Sequence, residues 1–250
     1  LISLINVQRA SIDNVRGTVR VGLIAKYIGS SDPYKSVIEA VKAAAYACDY
    51  DVDIVTIAAE HLEQKPGNEE QYQEAIAQLQ SVDGVVMPGG FDKRGIEGKI
   101  YAVNWALEQR KPYLGLCLGL QVMLIALARL RAGIAEATSS EFDGAAAHPI
   151  IALLDEQKGV VSKGASMRLG LFPCTLKPQT KAWLAYGADV VEERHRHRYE
   201  FNNAYREQLE KVGVVFSGMY RERDLVEIAE IKDHPFMLGS QFHPEFLSTP

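Results

Sequence analysis

The sequence predicts an α/β fold: a mostly parallel central sheet flanked by helices, with antiparallel strands added by the second half of the chain. Three observations carry this. Short apolar runs alternate with helical periodicity through the first half, the pattern of βαβ units. After about residue 135 the runs become strand-like, with little helical period between them. Apolar residues make up 47% and charged residues 24% of the 250-residue chain, enough for one sizeable core.

In order along the chain, residues 1–17 have weak periodicity and end in Asp-Asn-Val-Arg-Gly, the composition of a linker. Residues 19–24 alternate as a strand. Ser30-Ser31-Asp32-Pro33 then offers an N-cap and a first-turn proline for a helix over 34–47. A strand over 52–57, a helix over 69–80 and a short buried strand over 85–87 follow, the last running into Pro88-Gly89-Gly90. A helix over 99–110 leads to a strand over 112–116 and a helix over 118–131. That helix is apolar on nearly every side but too short to span a bilayer, so it reads as a core helix. In the second half, strands are expected over 150–154, 214–220, 226–231 and 236–242, and helix only over 205–211. Residues 158–166, rich in Gly and Ser, read as a mobile loop or a plain surface connection.

Bulk properties narrow the function classes. A net charge of -5 speaks against nucleic acid and anionic membranes as partners. Three cysteines, Cys48, Cys117 and Cys174, are odd in number and far apart, which suits a reducing, cytoplasmic setting better than a disulfide framework. No basic segment followed by an apolar one opens the chain, so no secretory signal is expected.

The chemistry concentrates in four segments. Gly115-Leu116-Cys117-Leu118-Gly119 places one cysteine at a strand-to-helix corner, with glycines that leave room for a sharp turn. This is the context of a nucleophile elbow, and a helix N-terminus stabilises a thiolate. Alone, the pentapeptide is equally a small buried thiol between packing glycines. Gln241-Phe242-His243-Pro244-Glu245 supplies a base and its orienting carboxylate: in extended backbone, residues two apart share a side, so Glu245 can hold one imidazole nitrogen while the other faces a thiol. Pro88-Gly89-Gly90-Phe91 follows a strand at the edge where open α/β sheets bind ligands, and the Gly90 and Leu118 N–H groups would form an oxyanion hole. An ordinary tight turn is the plainer account of that segment. Glu193-Arg194-His195-Arg196-His197-Arg198-Tyr199-Glu200 reads as an Arg fork for a small carboxylate or as a solvated ion-pair network. It lacks a third metal ligand at a suitable spacing, so no metal site is expected.

Together these segments resemble the class I (triad-type) glutamine amidotransferases, and among them the amidotransferase domain of CTP synthases. The general marks are Pro88-Gly89-Gly90-Phe91, the Cys117 pentapeptide and Phe242-His243-Pro244-Glu245-Phe246. The narrower marks are Ala25-Lys26-Tyr27 (Gly-Lys-Tyr in the family), Arg94-Gly95-Ile96-Glu97-Gly98-Lys99, Met167-Arg168-Leu169-Gly170 and the run from Glu193 to Glu200. The resemblance implies a flavodoxin-like amidotransferase fold over residues 18–250, with 1–17 as the remnant of an interdomain linker. It implies Cys117 as nucleophile, His243 as base and then acid, and Glu245 as its orienter. Gln121 and Glu141 would hold the α-amino group of L-glutamine, and Arg198 with the backbone around Tyr199 the α-carboxylate, with Gly89 and Phe91 in the same pocket. Glu141 follows Ser139-Ser140 where the family reads Asn-Ser-Thr, and Lys163-Gly164-Ala165-Ser166 departs from the glycine-rich segment usual before Met-Arg-Leu-Gly. The resemblance implies no cofactor in this domain. ATP with Mg2+, UTP and the activator GTP belong with an N-terminal synthetase domain that this sequence does not encode; the longer enzyme is expected as a homotetramer and this domain alone as a monomer. Another class I amidotransferase, a γ-glutamyl hydrolase, a related cysteine peptidase and a non-catalytic regulatory module are the rival readings.

Overall fold

The computed structural model describes residues 15–26, 32–91, 93–153 and 167–248. Most of the expected linker, the Ser30-Ser31 cap and the 158–166 loop lie outside the described residues.

The first half follows the alternation its sequence lays out. Strands β1 (Thr18–Ala25), β2 (Asp51–Ala58), β3 (Gly84–Met87) and β4 (Tyr113–Leu116) alternate with helices α1 (Lys35–Ala47), α2 (Glu69–Gln80), α3 (Ile96–Glu108) and α4 (Leu118–Leu130). The third helix begins at Ile96, three residues before the expected start at 99. Gly95, with φ +74, supplies the left-handed residue that opens it, and Arg110, at φ 54, turns the chain beyond its end. The second half contributes β5 (Ala137–Ser139), β6 (His148–Leu153), β7 (Arg168–Leu176), α5 (Lys181–Tyr186), β8 (Val190–His197), β9 (Tyr199–Phe201), α6 (Arg206–Lys211), β10 (Val214–Tyr220), β11 (Leu225–Ile231) and β12 (Met237–Ser240).

Nine strands form one mixed sheet in the order β2-β1-β3-β4-β12-β11-β10-β7-β8. The pairs among β2, β1, β3, β4 and β12 run parallel, and those from β12 outward to β8 run antiparallel. This is the expected parallel half with antiparallel strands added at one side. Five elements of the second half depart from expectation: α5, β5, β7, β8 and β9. Helix is not confined to 205–211: α5 forms because Thr180 Oγ1 accepts from Trp183 N at 3.3 Å and the Glu230 carboxylate accepts from Lys181 N at 3.0 Å and Ala182 N at 3.1 Å. A second sheet, β5-β6-β9, covers α4 from the side opposite β4 and β12.

Trapped between the two sheets, every residue of α4 from 118 to 128 is buried. That accounts for its all-round apolar sequence. Burying side chains such as Leu120, Met123 and Leu124, all at 0% exposure, is worth about 1.5–3 kcal/mol each. Parallel neighbours β3, β4 and β12 all end at one edge of the large sheet, with Ser240 opposite Leu116 and Met87 opposite Gly115. Three segments distant in sequence are thereby delivered to one place. No described helix is long and apolar enough to cross a membrane.

Candidate active site

Cys117 sits at the corner between β4 and α4 with φ 54 and ψ -101, a backbone conformation that costs a non-glycine residue about 1–3 kcal/mol. The turn is held from several sides. Cys117 N donates to Ser240 O on β12 at 2.7 Å, and Tyr113 OH donates to Gly119 O at 2.8 Å. The flanking glycines are needed for close approach: a Cβ on Gly115 would lie 2.6 Å from the Gly119 carbonyl carbon, and one on Gly119 would lie 2.3 Å from Met87 O. Leu118 carries the first amide of α4, which has no acceptor within its own helix.

His243 follows β12, its N–H donating to Arg194 O at 2.8 Å. Its Nδ1 meets Glu245 Oε1 at 2.8 Å, and its ring stacks on Phe246 at 4.9 Å. Glu245 reaches the imidazole from a 3₁₀ turn, Pro244–Phe246, and not from the extended strand that the sequence suggested. Proline at the first turn position bends the chain, and the i, i+2 pairing survives the change. Burial pulls the His243 pKa down, but hydrogen bonds and charge from Cys117 and Glu245 outweigh it and raise it to about 10. The imidazole thus lies between the Cys117 sulfur and the Glu245 carboxylate, an arrangement that favours its protonated form.

Bare backbone closes the other side. Gly89 follows β3 so tightly that a Cβ there would lie 2.9 Å from His243 Cε1 and 3.5 Å from Cys117 Cβ. Next to it a cleft of about 380 Å³ is lined by Gly90, Phe91, Cys117, Gln121, Glu141, His197, Arg198 and Tyr199. Of the six residues expected around a bound amino acid, Phe91, Gln121, Glu141, Arg198 and Tyr199 line this cleft, whereas Gly89 lines a second one. Arg198 Nε is buried and has no partner among the described residues, while Glu141 brings a carboxylate to the same cleft. A second cleft, of about 250 Å³, opens on the far side of Cys117 between Tyr34, Arg196, His243 and Phe246.

The run from Glu193 to Glu200 is not a solvated network. On β8 the side chains alternate: Glu193, His195 and His197 are buried, while Arg194 and Arg196 are exposed. Only Arg198 of the expected Arg fork reaches the main cleft. His197 Nδ1 lies 3.2 Å from Tyr199 O, a carbonyl that can only accept, so Nδ1 carries the hydrogen. Burial, then the neighbouring His195, keeps the His197 pKa well below its ordinary value, and the neutral ring presents Nε2 as acceptor to His195 Nδ1 at 2.9 Å. Burial likewise lowers His195 to about 3. Behind the pair, Arg168 Nη1 is shared by Glu200 Oε1 at 3.2 Å and Glu227 Oε1 at 2.8 Å. Burial raises these two carboxyls to about 8 and about 7 although Arg168 pulls both down. The sequence reading missed this buried network and the place of His197 in the cleft wall. The alternation of histidine and arginine at period two was the signal, obscured by the charge of the run. Among the described residues no group of three or more His, Cys, Asp or Glu side chains converges to hold a metal.

The family profile of glutamine amidotransferase class-I matches residues 30–250. A CTP synthase of Geobacillus kaustophilus is 49% identical over 240 residues, 96% of this chain and 44% of that protein. One of Dehalococcoides mccartyi is 51% identical over 233 residues, 93% of this chain and 41% of that protein. The chain therefore spans less than half the length of these curated relatives. The solved glutaminase domain of Trypanosoma brucei CTPS with bound acivicin matches at TM-score 0.84 and 34% identity, covering 93% of this chain and 88% of that one. A glutamine amidotransferase from Thermotoga maritima, at TM-score 0.51 and 14% identity over 91% of this chain and 76% of that one, shares the fold alone. On the family match, this chain belongs to the class-I glutamine amidotransferases.

Proposed function

We propose that this chain is the glutaminase domain of a CTP synthase, hydrolysing L-glutamine to glutamate and ammonia through Cys117, His243 and Glu245. The observation that carries the reading is the convergence of these three side chains beside a cleft whose wall offers a carboxylate, Glu141, and the Arg198 Nε, which has no partner among the described residues. An α-amino acid needs both charges, set apart from the nucleophile by the length of its side chain.

In the proposed mechanism the Cys117 thiolate attacks the side-chain carboxamide carbon, forming a C–S bond and an oxyanion. The Gly90 and Leu118 N–H groups face that oxyanion, and loss of one such donor costs about 10²–10³ in rate. The His243 imidazolium, oriented by Glu245, gives its proton to the nitrogen as the C–N bond breaks, and ammonia leaves. Water then adds to the thioester carbonyl, His243 takes its proton, and glutamate departs as the C–S bond breaks. Phe91 stands on the pocket wall, Gly89 leaves room for the His243 ring beside the nucleophile, Gln121 and Glu141 take the α-ammonium, and Arg198 with the Tyr199 backbone takes the α-carboxylate.

This domain uses no cofactor in that scheme. In the longer protein the ammonia passes to a synthetase domain that binds ATP with Mg2+ and UTP, with GTP as activator, in a cytoplasmic tetramer. The test is ammonia and glutamate release from L-glutamine by this chain and by Cys117→Ala. Turnover abolished in the variant supports the proposal; undiminished turnover, or cleavage of peptides in place of free glutamine, contradicts it.

A further inference from the structure

One contact at the nucleophile is not used in that mechanism. Gln241 Nε2 lies 3.6 Å from Cys117 Sγ, a hydrogen-bond distance for sulfur, and Gln241 is 1% exposed. Its Oε1 lies 3.1 Å from Gln121 Nε2, and the same Gln121 nitrogen lies 3.1 Å from Tyr199 O. The direction of this path is fixed by chemistry. A backbone carbonyl only accepts, so the Gln121 atom facing Tyr199 is its NH2 group. Both hydrogens of that group are then used, on Tyr199 O and on Gln241 Oε1. The Gln241 amide is thereby oriented with its own NH2 group toward the sulfur, and the Gln121 oxygen remains as the acceptor for a cation in the cleft.

The backbone holds Gln241 in this place. Gln241 N donates to Glu227 O at 2.7 Å, and Cys117 N donates to Ser240 O, so the end of β12 is pinned to both its neighbour strand and the elbow. The path ends at the Tyr199 carbonyl, which also receives the His197 Nδ1 hydrogen, and Tyr199 adjoins Arg198.

We infer that Gln241 is a positioning residue, coupling the Cys117 sulfur to the wall that receives the amino acid's α-amino and α-carboxylate groups. Resting on the glutamine reading of the cleft, it gives that site a way to link occupancy to reactivity. The Gln241 N–H stabilises the thiolate, and Gln241 Oε1 keeps Gln121 turned so that its oxygen meets the α-ammonium. A ligand lacking the α-amino group leaves that oxygen unpaired and loses the alignment.

The experiment measures the rate at which iodoacetamide alkylates Cys117 as a function of pH, with and without L-glutamine, in wild type, Gln241→Met and Gln121→Met. The other titratable and charged groups lining the two clefts with Cys117, namely His243, Glu245, Glu141, His197, Arg198, Tyr199, Arg196 and Tyr34, are unchanged in all three. Removing one donor to the sulfur moves the alkylation midpoint of Gln241→Met upward by about half to one pH unit. It also raises the glutamine concentration for half-protection about fivefold. Gln121→Met, which leaves the Gln241 side chain in place, moves the midpoint in the same direction. Near-UV circular dichroism checks the fold, and Gln121→Met reads the path from its far end if Gln241→Met does not fold. Absence of glutamine protection in wild type would overturn the glutamine reading and this inference with it. Protection in wild type with unshifted midpoints in the folded variants would overturn the inference alone.

Discussion

Cys117 holds a left-handed backbone although it is not glycine, and its neighbours bear the consequence. The turn is tight enough to bring Gly119 against Met87 O and Gly115 against Gly119, so a methyl group at either place must push the elbow apart. Gly119→Ala is therefore expected to destabilise the chain by about 1–3 kcal/mol in urea melts and to slow alkylation of Cys117 sharply. Gly144→Ala, where a Cβ meets nothing within 4 Å, should leave both unchanged. In the proposed mechanism Glu245, 2.8 Å from His243 Nδ1, acts on that imidazole and not on substrate. Glu245→Gln keeps the shape but removes the charge that holds the imidazolium, and glutamine hydrolysis should fall by about 10²–10⁴-fold with little change in KM. Equal loss in kcat and gain in KM would place Glu245 in the substrate pocket instead.

At the scale of elements, α3 shows how a helix can carry a charge into the core. Lys99 is 1% exposed, its Nζ reaching Ile24 O at 3.4 Å and Met87 Sδ at 3.5 Å. Burial, then the charge of Lys26, lowers its pKa from 10.5 to about 7. Because the folded value lies below the unfolded one, this group's contribution is fully present above pH 10.5 and is lost as pH falls to 7. Replacing it with an apolar side chain of similar length removes that loss. Lys99→Met should gain stability relative to wild type, and the gain should be larger at pH 7 than at pH 10 in denaturant titrations. A difference that does not change with pH would contradict the assignment.

The same scale shows what the sequence made legible. The bounds of α2 and β10 coincide with the expected 69–80 and 214–220, because each has a clean period and a polar or glycine-bearing stop. In β7, Gly170 and Pro173 interrupt the apolar alternation. Pro173 is tolerated because the ladder to β10 is confined to Thr175 and Leu176. In β8 the inward positions are Glu193, His195 and His197, which read as a charged surface run until the strand is seen to bury them. The small sheet contains strands of three residues, too short to leave a period. The meeting of Cys117, His243 and Glu245 was legible because its parts are local, a strand-turn-helix corner and an i, i+2 pair. The Gln241 path was not, since it joins side chains 78 and 120 positions apart.

For the whole molecule, strand order performs the assembly. Placing β12 between β4 and β11 brings His243 beside Cys117 although the two are 126 positions apart in sequence, while β3 brings Gly89 and Gly90 to the opposite flank. The three thiols consequently have different surroundings. Cys48 is exposed and lines neither cleft. Cys174 is buried, and that burial, with the nearby Glu227 charge, pushes its thiol well above the usual range. Of the three thiols only Cys117 lines the two clefts. The central claim, a glutamine pocket assembled around this thiol, is tested most directly by incubating the chain with acivicin and mapping adducts by mass spectrometry, with and without excess L-glutamine. The account predicts a single adduct on Cys117 that glutamine prevents, with Cys174 and Cys48 unmodified. Equal labelling of the three thiols, or a Cys117 adduct indifferent to glutamine, would contradict it.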